Sequence, residues 1–196
     1  LNIVLTNEAV PCAEYLQSVT GTPFVYLPPY GYSQTTDFLK SVAAVINKPV
    51  KEAVLQRLEE KNRRLKMLLN SPLMSRTPGT VFLKGDYDTV KGLGAFFKEL
   101  RFNVAHSVCA HKISGTAAED IEYFKEEKEY LQLLKDIHHC LVLADEDTIA
   151  KADATNFKIC VSHPCFSHRT IANHLPFMGE WGADMLFEYI QQYVNM

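Results

Sequence analysis

Short apolar runs alternate with longer stretches of helical spacing along the chain. The runs lack the strict apolar and polar alternation of a half-solvated strand, which is typical of strands buried on both faces of a parallel sheet. They cover residues 1–5, 23–27, 80–84, 103–108, 140–144 and 157–161. Between them lie two helical stripes, Val90, Leu93, Phe97 and Leu100 in one and Ile121, Phe124, Leu131 and Leu134 in the other. This β-α-β-α order predicts an α/β fold with Rossmann-like parallel sheets.

A long amphipathic helix divides the pattern into two unequal parts. It is predicted over residues 50–69, and the chain breaks Asn70-Ser71-Pro72 and Thr77-Pro78-Gly79 follow it. We therefore expect two Rossmann-like units joined by a long helix. Residues 1–75 form the first, which is incomplete because it has only two strand signals. Residues 76–196 form the C-terminal unit, with about four.

Composition excludes several classes of protein. The 47% hydrophobic content is sufficient for a core, and a formal net charge of −3 leaves no basic surface for nucleic acid. No apolar run approaches the roughly 18 residues that cross a bilayer, and no secretory signal opens the chain. The cysteines are odd in number, five, and have no repeated short spacing, which argues against a disulfide framework and against a C-x-x-C zinc or redox motif. We expect a cytoplasmic protein with mostly free thiols and no membrane partner.

The segment after the last strand signal is the strongest candidate site. It carries His163, Cys165, His168 and His174, and open α/β sheets place ligands after such a strand. Imidazole and thiolate groups suit zinc, iron or an iron–sulfur cluster, although the spacing matches no closed zinc pattern. Three interpretations stay open: metal ligation, above all by His163, Cys165 and His168; polar lining for an anionic cofactor; and a loop whose histidines bond only backbone carbonyls.

Two other turns follow strand signals. The turn Gly85-Asp86-Tyr87-Asp88 could offer helix N–H groups to an anion, although helix capping by Asp86 or Asp88 is the simpler interpretation. The loop of residues 28–32, with Tyr30 and Gly31, could line a cleft or form a rigid turn. A helix start at Thr35, Thr36 or Asp37 is predicted to follow it.

Further histidines offer weaker signals. His106, Cys109 and His111 cluster at one strand end, but their spacing is weak for a metal. His138 and His139 precede a strand at its amino end, the wrong edge for a ligand, so we expect them at the surface.

The order of motifs resembles the nitrogenase component 1 family. A helix, a G-x-P turn, a P-x-G loop and a further helix follow one another in the second Rossmann-like domain of that family. The corresponding segments here are Pro11-Cys12-Ala13-Glu14-Tyr15-Leu16, Gly21-Thr22-Pro23-Phe24, Pro28-Pro29-Tyr30-Gly31 and Thr36-Asp37-Phe38-Leu39. The likeness continues through the strand and turn at residues 81–86 and the P-x-x-G-x-x-G segment at residues 176–183. It covers nearly the whole chain.

The resemblance implies a C-terminal portion of a subunit that binds a metal cluster or tetrapyrrole between domains. Members include molybdenum–iron nitrogenase subunits, cofactor-assembly scaffolds and dark-operative protochlorophyllide reductases. It implies a homologous subunit and an ATP-dependent iron–sulfur reductase as partners. The cofactor histidine would fall at His168, Arg169 or His174, whereas Leu5-Thr6-Asn7 occupies the place of the ligating cysteine. We therefore expect an iron–sulfur or metal cluster in the full-length parent and none in this portion, which we expect to be inactive alone.

Other functions fit the same architecture. Two lobes on a helical spacer could form a non-catalytic module for a small molecule or metal chelate, a cofactor-assembly scaffold, or a structural subunit. Since Leu1 opens the chain inside an apolar run, we expect a preceding segment in the parent. The incomplete first unit would then expose a sheet edge and an apolar face, so we expect self-association.

Overall fold

Two parallel sheets organise the chain in the computed structural model, which describes residues 1–71, 79–109, 111–112, 120–124, 126–162 and 177–195. One sheet has two strands and the other has five within these residues. The predicted α/β class with parallel sheets is confirmed, and so are the two strands of the first unit. The division at residues 75 and 76 stays a prediction.

The small sheet is a single β-α-β crossover. Strand β1 (Asn2–Val4) pairs in parallel with β2 (Phe24–Tyr26), and helix α1 (Val10–Thr20) connects them after a short 3₁₀ turn at Asn7–Ala9. Gly21 ends α1 in the left-handed region, with φ of 69°, where glycine has no Cβ to clash.

Two helices follow the small sheet. Helix α2 (Gly31–Val45) begins at Gly31, so the predicted start at Thr35, Thr36 or Asp37 is wrong. Gly31 adopts a φ of 75°, which lets the chain turn into the helix directly after the prolines. The predicted spacer helix is confirmed as α3 (Glu52–Leu69).

The large sheet has the order β5-β4-β3-β6-β7, with all neighbours parallel. Its strands are β3 (Thr80–Gly85), β4 (Asn103–Cys109), β5 (Glu122–Tyr123), β6 (Leu141–Ala144) and β7 (Phe157–Cys160). The helices of this part are α4 (Tyr87–Glu99), α5 (Glu127–Lys135), α6 (Glu146–Lys151) and α7 (Gly179–Val194). The loops after the neighbouring strands β3 and β6 leave towards opposite faces of the sheet. Open α/β sheets form a ligand crevice between two such strands.

Both faces of the large sheet are buried. Val81 and Leu83 belong to one apolar cluster with residues of α3, α4 and α7, and Phe82 between them belongs to a second cluster with residues of α5. This three-layer arrangement explains the continuous apolar runs in the sequence.

One predicted stripe is wrong in part. Ile121 and Phe124 flank the two-residue strand β5, and α5 starts only at Glu127. An edge strand that contains Glu122 and Tyr123 leaves no apolar run by which the sequence could reveal it.

In the described part of the chain, no helix has the length and apolar character to span a membrane.

Candidate functional site

The carboxyl ends of β1, β2 and β3 converge on one buried carboxylate. The backbone N–H of Asn7, just after β1, donates to Asp88 Oδ2 at 2.6 Å. The Tyr26 hydroxyl at the end of β2 donates to Asp88 Oδ1 at 2.5 Å. Asp88 itself lies in the first turn of α4, directly after β3, and its residue exposure is 5%. The two sheets therefore meet at their carboxyl edges, the edges at which open α/β sheets generally bind ligands.

Burial keeps the Tyr26 hydroxyl protonated. Burial raises the pKa of the Tyr26 phenol, and the hydrogen bond to the Asp88 carboxylate raises it further. At neutral pH Tyr26 is thus a hydrogen-bond donor. It also accepts a hydrogen bond from Asn7 Nδ2 at 3.3 Å, so we call Asn7, Tyr26 and Asp88 the polar trio.

The loop between β2 and α2 packs on α4. Tyr30 is 2% exposed, and its hydroxyl shares a hydrogen bond with Thr89 Oγ1 at 3.0 Å. Gly31 lies against Phe96, where a Cβ would fall 2.3 Å from the ring. Both predicted lining residues are therefore buried between this loop and α4. Their proposed role towards a ligand stays a prediction.

Two matching turns cap the helices beside the crevice. Asp86 accepts hydrogen bonds from Thr89 N at 2.9 Å and Thr89 Oγ1 at 2.8 Å. Asp145 accepts the same pair from Thr148, at 2.9 and 2.8 Å. The predicted capping by Asp86 is confirmed. Because a carboxylate already occupies the start of each helix, these turns disfavour a bound phosphate.

A largely buried ion pair, with side-chain exposures of 15% for Lys84 and 6% for Asp145, links β3 to the start of α6 across the crevice. Lys84 near the end of β3 donates to Asp145 Oδ2 at 2.5 Å and to Thr148 Oγ1 at 2.8 Å. The Lys84 ammonium also lies 4.4 Å from the ring centroid of Tyr130. Burial raises the pKa of Asp145, but hydrogen bonds from Lys84 and Thr148 lower it more, so the carboxyl is ionised. The Lys84 cation is thus engaged by groups at the start of α6 and by the Tyr130 ring of α5.

The histidine-rich segment lies outside the described residues, which include both of its flanks. His163, Cys165, His168, Arg169 and His174 are therefore not placed. On one side, Ser162 Oγ donates to the carbonyl of Lys84 at 3.4 Å. On the other, Gly179 N donates to the carbonyl of Pro29 at 2.8 Å. Both flanks thus contact the edge where the carboxyl ends converge.

The weaker candidates do not form a metal site in the described residues. His106 Nδ1 lies 2.9 Å from Glu122 Oε1, and the Cys109 thiol donates to the carbonyl of His111. Burial raises the pKa of Cys109, which disfavours the thiolate. His138 and His139 are exposed, as predicted. Within the described ranges, no group of three or more His, Cys, Asp or Glu side chains could hold a metal ion.

Sequence reasoning missed the polar trio and the Lys84–Asp145 pair. One signal was available, because the pattern D-x-D-T follows a strand twice, at residues 86–89 and 145–148. Its repetition after β3 and β6 marks the two helix starts that flank the crevice.

Comparison with known proteins identifies the family of this chain and a solved structure of similar fold. The family model described as "Nitrogenase component 1 type Oxidoreductase" matches residues 1–194. No curated protein sequence matches the chain. A solved structure titled "Nitrogenase Cp1 at pH 6.5" is similar at a TM-score of 0.71 and 20% identity, covering 93% of this chain and 42% of that chain. This identity shows the fold alone, and the chain spans less than half the length of that relative.

Proposed function

Since the chain belongs to the nitrogenase component 1 type oxidoreductases, as its motif order predicted, we propose that it forms walls of a ligand-binding cleft in such a subunit. The observation that supports this is the meeting of three carboxyl strand ends at the polar trio. Open α/β sheets bind their ligands at such ends. The parent would reduce a bound substrate with electrons from an ATP-dependent iron–sulfur partner.

We propose that the segment around His163, Cys165, His168 and His174 contributes the ligand contacts. Its flanks, Ser162 and Gly179, both bond to loops at the converging edge. A metal cluster or tetrapyrrole bound there would supply the redox chemistry. The role of this chain would be to bind and orient it and to keep water out.

Direct ligation of a cluster at the end of β1 does not fit the residues there. The Asn7 backbone N–H and side-chain amide are already engaged with Asp88 and Tyr26. These hard oxygen and nitrogen groups satisfy one another, whereas iron–sulfur clusters take cysteine thiolates. We therefore derive no reaction step through a cluster at this strand end.

The same trio favours a second function. A cleft whose strand ends are closed by protein hydrogen bonds suits a module that holds a small molecule or metal chelate, or a cofactor-assembly scaffold, without ligating a cluster there. Anaerobic purification followed by iron and sulfide analysis tests this second function. We expect a colourless chain, and about one or more clusters per chain would contradict the second function.

The binding proposal has a direct test. The full chain is titrated with iron protoporphyrin and, separately, with a preformed iron–sulfur cluster, and fluorescence quenching of Trp181 is measured. Trp181 is the single tryptophan and lies in the first turn of α7, seven residues after His174, with 77% exposure. We expect His168→Ala and His174→Ala to weaken binding of one probe at least about tenfold.

The matched control is His138→Ala, an exposed histidine at the amino end of β6. It should leave binding unchanged, and all three variants should alter the unfolding free energy by under about 0.5 kcal/mol. If neither probe binds, or if the tail variants bind both as tightly as the parent chain, the proposal is wrong.

We further propose a cytoplasmic protein that pairs with a homologous subunit or with itself. The exposed side chains of Leu1, Ile3 and Leu5 support an association surface. Light scattering at micromolar concentration tests self-association, and a clean monomer of 22.2 kDa would contradict it.

A further inference from the structure

The small sheet is tied to α4 through a single carboxylate. Two hydrogen bonds, from Asn7 N and from the Tyr26 hydroxyl, join the described residues 1–26 to this helix, and both end on Asp88. We propose that residues 1–26 open and close against α4 as one unit, and that Asp88 is the contact that holds the unit closed.

Residues 1–26 hold together internally. The ladder between β1 and β2 pairs Ile3 with Val25 and continues with the hydrogen bond from Asn2 N to the carbonyl of Pro23 at 2.8 Å. Ala13 of α1 is 3% exposed. These contacts remain when the segment separates from α4, so its movement as a body keeps its own structure.

Within the single chain, the segment buries little apolar surface outside this small interior. Ile3 is 52% exposed, Tyr15 is 65% exposed and Val19 is 63% exposed. In the large sheet, by contrast, Leu141 and Leu143 are completely buried. Regions with few buried apolar contacts open at lower free energy than the global unfolding. The small sheet is therefore the part from which a local opening is expected.

The position of Asp88 explains why it dominates the closed state. Hydrogen bonds to a buried carboxylate are stronger than neutral ones, and a negative charge in the first turn of a helix is stabilised by the helix dipole. Asp147 holds the same place in the other D-x-D-T turn, but its side chain is 53% exposed and pairs with Lys151 of its own helix. Only the first turn holds a neighbouring sheet.

Native-state amide hydrogen exchange of the full chain tests the proposal, with Asp88→Asn as the variant and Asp147→Asn as its control. We expect Asp88→Asn to accelerate exchange at residues 2–4 and 24–26 together, by about ten- to a hundredfold. Exchange at residues 81–83 and 141–143 should stay unchanged, and Asp147→Asn should leave both groups as they are. Unaltered exchange in the small sheet would overturn the proposal, and so would equal acceleration in both sheets.

Tyr26→Phe removes one of the two bonds without changing a charge. It should accelerate exchange at the same residues, by less than Asp88→Asn does. In the double variant, the acceleration should fall short of the product of the two single effects, because both substitutions break the same bond. A full product would mean that the Tyr26 hydroxyl and Asp88 act independently, which contradicts the single closing contact.

Discussion

The strands of both sheets pair in parallel, but the two sheets differ in the burial of the side chains on their faces. In the large sheet, Val81 and Leu83 on one face and Phe82 on the other are at most 1% exposed. In the small sheet, Ile3 is 52% exposed although Val4 beside it is 6% exposed. One sheet carries its own two-sided core, whereas the other has a core on one face only.

Helix α4 lies between the two sheets, and its glycines show how closely each is fitted. A Cβ on Gly92 would lie 2.0 Å from the Tyr30 ring, in the loop after the small sheet. A Cβ on Gly94 would lie 3.7 Å from Leu83 of the large sheet, which is ordinary contact. The helix backbone is therefore pressed against the loop on one side and has room on the other.

The largest expected effect is a loss of stability on truncating a core side chain, and it should differ between the two sheets. Leu83→Ala should lower the unfolding free energy by about 3 to 5 kcal/mol, because the fully buried site cannot collapse around the cavity. Val4→Ala in the small sheet should cost about 1 kcal/mol, since it removes two methyl groups from a thin interior. Urea denaturation measures both. Equal costs would show that the two sheets are equally well packed and would break the comparison.

The buried ion pair should make the stability of the large sheet depend on pH. Because the folded-state pKa of Asp145 lies below its ordinary value, the pair stabilises the fold above about pH 4 and loses this effect as the pH falls through the folded pKa. Lys84→Met should cost about 3 kcal/mol at pH 7, because it leaves a buried carboxylate without its cation.

In that variant the pH trend should flatten. Without Lys84, burial, which raises the pKa of Asp145, is opposed only by the two hydrogen bonds from Thr148, so the variant should gain less stability than the parent chain as the pH rises from 4 to 7. Lys98→Met is the control, because the ion pair of Lys98 with Asp120 is exposed and should contribute at most about 1 kcal/mol. Parallel pH curves for Lys84→Met and the parent chain would argue against a role for the pair.

The fit between α4 and the loop after the small sheet gives an intermediate effect. Gly92→Ala should destabilise the chain by about 1 to 3 kcal/mol, because the added methyl group would overlap the buried Tyr30 ring. Thermal unfolding measures the loss. Tyr30→Leu should relieve part of the cost in the double variant, and additive losses would mean that Tyr30 is not the obstacle.

The sequence predicts most strands because a strand buried on both faces leaves an apolar run. It also predicts the cap at Asp86, a residue type that favours helix starts. It does not predict that Asp88 is buried, because a carboxylate in a first helical turn is usually solvated. The partners of Asp88, Asn7 and Tyr26, lie 81 and 62 residues away along the chain. Such distant polar contacts have no periodicity, so only the folded chain reveals them.

The smallest effect should be a gain, at the side of α4 that faces the large sheet. Gly94→Ala places a methyl group at ordinary distance from Leu83 and replaces a residue that loses much backbone entropy on forming a helix. We expect an increase of about 0.5 to 1 kcal/mol in the unfolding free energy, measured by urea denaturation beside Gly92→Ala. A gain in unfolding free energy for Gly94→Ala together with a loss for Gly92→Ala would show that the close contact of α4 is with Tyr30. A loss at both positions would mean that α4 is pressed equally against the large sheet, and the distinction between its two sides would be wrong.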